Sequence, residues 1–269
     1  MKKFALLMAC AAASVLCVPA KAHRVWVQAD HVHGGEVLRA NLGYGEFPKF
    51  EPIAKTRTDL FAPLTLVTDK GKQTLVQKDA KNYRYQSKSP VQEGSFLLLA
   101  EYKPTFWSKN GAGWQRQNLM QMPDASYCEQ TRMYGKAVVN VGHDSADTAV
   151  ITRPVGQLLE MVPLDNPANV HVGEPLAVRV LYRGEPLANH PVSATFAGFD
   201  VSDRSHTHKE SAQAFFDTTN DDGVVHIIPL RQGFWQASVK YKIDFHDPKL
   251  CQHEATYSTL TFDIGGHHH

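Results

Sequence analysis

Cysteine is scarce in this 269-residue chain, neither sign of charge is in excess, and no apolar run reaches the length of a membrane span. Each shortage excludes something. With 28 basic and 27 acidic side chains, the surface has no field strong enough to hold nucleic acid or an anionic membrane. Sustained helical periodicity is missing, which excludes a helical bundle. Also missing are a phosphate-binding Walker loop, a dinucleotide fingerprint, a His-Glu-x-x-His pair and a nucleophile elbow. Serine, histidine and aspartate are plentiful, but no spacing assembles a triad, so a non-catalytic protein is expected. What is present, 43% apolar and 20% charged residues, is the composition of an ordinary globular chain.

The first 22 residues read as a secretory leader. Lys2 and Lys3 give a positive start, residues 4–18 form a short apolar run, and Ala20-Lys21-Ala22 has the small-x-small form of a cleavage site. Leu16 before Cys17 spoils a lipoprotein box, so no lipid anchor is expected and the mature product is placed in the periplasm or outside the cell. The leader takes three lysines and no acid with it, leaving 25 basic against 27 acidic side chains. Cleavage after Ala22 makes His23 the first residue. An α-amine and an imidazole then share one backbone unit and can chelate a borderline divalent metal such as Ni, Co, Cu or Zn.

Histidine is the excess in this sequence, at 14 residues. Imidazole is the commonest protein ligand for transition metals. His206-Thr207-His208 is the best partner for His23, because residues i and i+2 of an extended segment project to one side. His31 and His33 have the same spacing before the Gly34-Gly35 turn. His143, His171, His190 and His226 read as turn, surface or strand-edge residues. His267, His268 and His269 form a His-rich tail over 265–269, native or a purification remnant. Cys10 and Cys17 leave with the leader, so Cys128 and Cys251 remain as an even pair in an oxidising compartment, which predicts a disulfide. The alternative is that Cys251 and His253, at Cys-x-His spacing, ligate a metal.

Short alternating runs separated by Gly, Pro, Asn and Asp recur throughout, at 23–28, 36–42, 63–68, 94–102 and 136–141 in the first half. The second half continues with 157–163, 175–182, 191–197, 223–229, 233–241 and 257–262. Residues 54–61 are the one helical patch. The pattern predicts an all-β protein of two β-sandwich domains, 23–153 and 154–264, the second immunoglobulin-like. In that second domain Leu176, Val178, Val180 and Tyr182 form a buried face and Trp235 anchors the core. Trp107 and Trp114 flank a Gly-rich loop expected to be an exposed surface. Together with Trp26, Trp235, Tyr102 and Phe106 they are either core or a sugar-stacking platform.

The run Gly156-Gln157-Leu158-Leu159-Glu160-Met161-Val162-Pro163-Leu164-Asp165-Asn166-Pro167, with Gly184-Glu185-Pro186-Leu187 and Gly233-Phe234-Trp235, resembles the family called DUF4198. Ala22-His23-Arg24-Val25-Trp26-Val27 is similar to that family's mature start, a histidine closely followed by an aromatic. Residues 101–107 and 134–137 fit its N-terminal half. The family's members are exported, and some are NikM-like periplasmic components of nickel or cobalt uptake systems. The resemblance implies His23 as a metal ligand and a membrane transporter component as partner; His206 and His208 match no family ligand. The resulting expectation is a periplasmic nickel- or cobalt-binding protein with His23, His206 and His208 as ligands. A metal-free adhesion or envelope-binding module is the alternative, and a histidine-brace copper oxidase a third.

Overall fold

A computed structural model describes residues 23–79, 83–143, 147–199 and 213–265. The first half forms β1 (Arg24–Ala29), β2 (Arg39–Gly45), β3 (Thr65–Thr68), β4 (Gly71–Thr74), β5 (Val76–Asp79), β6 (Arg84–Gln86), β7 (Gly94–Asn110), β8 (Gly113–Gln115) and β9 (Tyr127–Val141). The second half forms β10 (Leu159–Pro163), β11 (Leu176–Tyr182), β12 (Glu185–Pro186), β13 (Pro191–Phe196), β14 (Phe215–Thr218), β15 (Val224–Ile227), β16 (Gly233–Asp244) and β17 (His253–Ile264). The helical patch is a 3-10 turn, Lys55–Leu60. The protein is all-β, as its alternating patterns predict.

Three sheets stack in layers. A nine-stranded sheet runs β14-β13-β16-β17-β9-β7-β3-β4 with β8 beside β7, and it crosses from one half of the chain to the other where β17 pairs with β9. That pair is parallel; every other pairing among the described strands is antiparallel. A four-stranded sheet, β1-β2-β6-β5, covers one face. A second small sheet, β10-β11-β12 with β15 on β11, covers the other.

Strand alternation explains how one sheet serves two cores. Phe96, Leu98, Ala100 and Tyr102 of β7 and Met133, Ala137, Val139 and Val141 of β9 face the β1–β2 sheet, packing on Val25, Val27, Leu38 and Leu42. Leu97 of β7 and Val138 of β9 point the other way. They join Leu159, Met161, Val178, Val180, Trp235, Ala237, Leu260 and Phe262 in the second core. Trp235 is fully buried, as are Leu176, Val178 and Val180. The second sandwich thus has the immunoglobulin-like plan of two sheets, antiparallel apart from the β9–β17 seam, about a buried tryptophan.

Two devices tie the halves together. The first is polar. Lys136 of β9 donates to the Glu160 carboxylate of β10 at 2.6 Å and to the Met161 carbonyl at 2.8 Å. Glu160 also accepts the Val155 and Gly156 backbone N–H groups at 2.7 and 3.0 Å. Both side chains are buried. Burial pushes the Lys136 ammonium below its ordinary pKa, and the facing carboxylate opposes that push. The second device clamps β1 across the shared sheet: Thr259 and Thr261 hydroxyls donate to the Val25 and Val27 carbonyls at 2.7 and 2.6 Å.

β7 and β9 run on past the main body as an arm. Pro104 cannot donate to the ladder, and the register shifts between Tyr102 and Thr105 to absorb it. The Trp107–Trp114 stretch is therefore not a loop. It is strand up to Asn110, a two-residue turn, and strand again in β8. At the arm, Cys128 and Cys251 are disulfide-bonded with Cα atoms 5.1 Å apart, inside a small cluster with Phe245, Phe106, Leu119 and Leu250. The predicted disulfide is present, and its formation takes Cys251 out of any Cys251–His253 metal pair.

Two stability outcomes follow from these ties. Lys136→Met leaves Glu160 charged and buried without its cation, and should lower the unfolding free energy by about 3–5 kcal/mol in a urea titration. Cys128 and Cys251 are 123 residues apart. A Cys128→Ala/Cys251→Ala protein should lose up to about 5 kcal/mol on the chain-entropy account, read as a lower denaturant midpoint that reductant no longer changes.

Candidate metal centre

His23 directly precedes β1, and its side chain is exposed. The β1–β2 register sets Arg24 opposite Gly45, which brings Tyr44 beside the histidine; the two rings lie 5.1 Å apart at 32°. Tyr44 is the top of an aromatic stack. It lies 5.8 Å from Tyr102, nearly parallel, and 5.2 Å edge-on from Phe61. The Arg57 guanidinium donates to the Tyr44 hydroxyl at 3.3 Å and sits 5.0 Å over the Trp107 ring. Trp107 in turn donates its indole N–H to the Tyr102 hydroxyl at 2.9 Å.

The chemistry of this floor is specific. Burial pushes Tyr44 up to about 12, so it is a neutral phenol near pH 7 and supplies no anionic oxygen. Arg57 adds positive charge on the same side. The Glu51 carboxylate lies at the same end of the ladder, 3.5 Å from where a Gly45 Cβ would stand. The His23 imidazole is the exposed nitrogen group at this end of the ladder.

His206 and His208 lie outside the described residues, as does the His-rich tail from Gly266 to His269. The other histidines are distributed as follows. His171 Nδ1 is 3.0 Å from the Glu174 carboxylate on the surface, and His190 Nε2 is 2.7 Å from the Lys240 carbonyl. His226 is exposed on β15, the His246 ring lies 4.3 Å from the Phe245 ring, and His253 lies 5.6 Å from the Tyr127 ring. His31, His33 and His143 are brought together, with ring centroids 4.9, 5.2 and 6.1 Å apart. The sequence offers His31 and His33 as a pair but gives no sign of His143, which is far away in the chain. Among the described residues no three His, Cys, Asp or Glu side chains are already turned onto one metal-binding point.

The aromatics do not form a sugar platform. Trp26, Trp235 and Tyr102 are fully buried, Trp107 is half-buried against Tyr102, and Trp114 alone of the tryptophans is exposed, at 43%. Gly43, facing Trp26 across the ladder, makes room for the indole: a Cβ there would come within 2.1 Å of Trp26 Cε2.

Tyr44 gives this end of the sheet a pH signature. Burial also pushes Tyr85 up to about 12. Both phenols are therefore protonated in the folded chain at pH values where unfolded tyrosine ionises. Their contribution is fully present below pH ~10 and is lost as pH rises toward about 12. Ring resonances followed residue by residue should show Tyr44 and Tyr85 still protonated above pH ~10 in folded protein. Ionisation of either ring near pH ~10 while the fold persists would contradict its burial.

Residues 20–243 match the family described as "Domain of unknown function (DUF4198)". No curated protein matches the chain. Among solved structures, the D0-D1 domain of Intimin is similar at 12% identity, over 88% of this chain and 96% of that one, with a TM-score of 0.21. The D00-D0 domain of Intimin is similar at 13% identity, over 89% and 98%, with a TM-score of 0.22. Scores this low leave the fold to be read from the sheets themselves. The family match spans most of the sequence, from the residues ahead of β1 into β16, and the chain belongs to the DUF4198 family.

Proposed function

We propose that this protein is an exported, non-catalytic binder of a divalent transition metal, nickel or cobalt before copper or zinc, which it presents to a membrane uptake component. The observation that carries this reading is the position of His23. Its side chain is exposed on the residue before a strand that two threonine hydroxyls clamp onto the shared sheet. Cleavage after Ala22 would give that residue a free amine, and the amine and imidazole would then close a chelate ring held at a fixed place on the surface. The 14 histidines support the same reading. His206 and His208 are proposed as supplementary ligands.

The test compares protein beginning at His23 with protein carrying one extra residue ahead of it, each titrated with Ni2+ by calorimetry. The blocked form should bind at least about tenfold more weakly, since even losses outside the ligand set cost 10–100-fold in metal affinity. Equal heats for the two forms would count against His23 as the anchor.

A metal-free envelope-binding module is the second reading, favoured by Trp114 and Met120, 43% and 72% exposed near the disulfide-stapled arm. Partner capture that survives chelator treatment would support it.

A further inference from the structure

We infer that His31, His33 and His143 form a separate transition-metal site at the opposite end of β1, independent of leader cleavage and of His23. The placement starts from alternation. Val32 is buried with 4% of its surface exposed, while His31 and His33 on either side of it are exposed. The Gly142 N–H donates to the Val32 carbonyl at 2.9 Å, tying the exit of β1 to the end of β9. That bond sets His143, the next residue, beside the pair. Gly142 has φ +75°, a conformation L side chains rarely adopt, and this lets β9 end in the turn that presents His143.

Two of the three separations, His31–His33 and His33–His143, are those of ligands to one tetrahedral ion. Metal–nitrogen bonds near 2.0–2.1 Å put the centroids of two imidazoles on a tetrahedral ion about 5 Å apart. The three rings stand at 4.9, 5.2 and 6.1 Å. Binding one ion would require the exposed imidazoles to turn onto a common point by rotation about their two side-chain bonds. Three imidazoles leave a fourth position open, which suits a late first-row divalent cation that must later be passed on. His31 and His143 also line a recess of about 250 Å³ together with Asp30 and Asp263. The ligand class is therefore Co2+, Ni2+, Cu2+ or Zn2+ rather than Ca2+ or Mg2+, which take oxygen donors.

The probe is Co2+ added to the full chain, followed by its visible absorption and by calorimetry, beside a His31→Ala/His143→Ala variant. Both proteins keep His23 and the terminal histidines, so the difference between them isolates the cluster. The full chain should bind one more equivalent than the variant, and the variant's residual binding at this place should be at least about 100-fold weaker. Co2+ should also raise the thermal midpoint of the full chain more than that of the variant, because the ion joins β1 to β9 only when folded. Identical isotherms and identical midpoint shifts would overturn the proposal. As a second measurement, the ring resonances of His33 should be displaced by paramagnetic Co2+ in the full chain; unmoved resonances would also overturn it. Loss of an equivalent only on blocking the amine ahead of His23 would refute the cluster and leave the N-terminal reading standing, and the converse result would do the reverse.

Discussion

The fold depends on one buried ionic contact. Lys136 lies on β9, the strand that hydrogen-bonds to β7 on one side and β17 on the other, and Glu160 lies on β10 of the sheet laid across them. A buried ion pair is a weak source of net stability, since desolvating both partners costs nearly what their attraction returns. Its value here is directional. Glu160 accepts from the ammonium and from two backbone N–H groups at once, and Lys136 reaches a carbonyl of the same strand. A one-residue slip of β10 would turn Glu160 to the opposite face and orphan all of these groups. The pair therefore fixes the small sheet on the shared one, at the point where the chain passes from its first half to its second.

That shared sheet also fixes where the histidines stand. β1 spans six residues, roughly 20 Å at the usual rise per strand residue. His23 is at one end and the His31–His33–His143 group beyond the other, so one ion cannot bridge them.

Much of this was legible in the sequence. Alternation in 175–182 located β11 and its buried face, Trp235 anchored the core it was assigned, and the even cysteine pair formed its bridge. Residues 54–61 showed as the one helical patch because nothing there alternates. What stayed hidden was non-local. Pro104 breaks the strand pattern after Tyr102, so β7 seemed to stop there; a register shift carries it on to Asn110. The continuity of the nine-stranded sheet across residue 153 rests on the β9–β17 pair, whose partners lie more than a hundred residues apart and share no local signal. His143 was hidden for the same reason, since only folding brings Gly142 against Val32. Of the expected ligands, His23 stands exposed just ahead of β1, where the alternating run 23–28 had placed it inside the strand, and His206 and His208 fall outside the described residues.

The parallel seam between β9 and β17 bears on the order of events during synthesis. β9 is complete once Val141 has left the ribosome, yet one of its edges has no partner until the chain has reached Ile264. Over that interval a long strand with a bare hydrogen-bonding edge and hydrophobic side chains on both faces must be kept from pairing with another copy. Contacts of such long sequence separation form slowly. β17 is therefore the strand that seals the middle of the molecule, and a chain cut short before it loses the centre of its largest sheet instead of a peripheral edge.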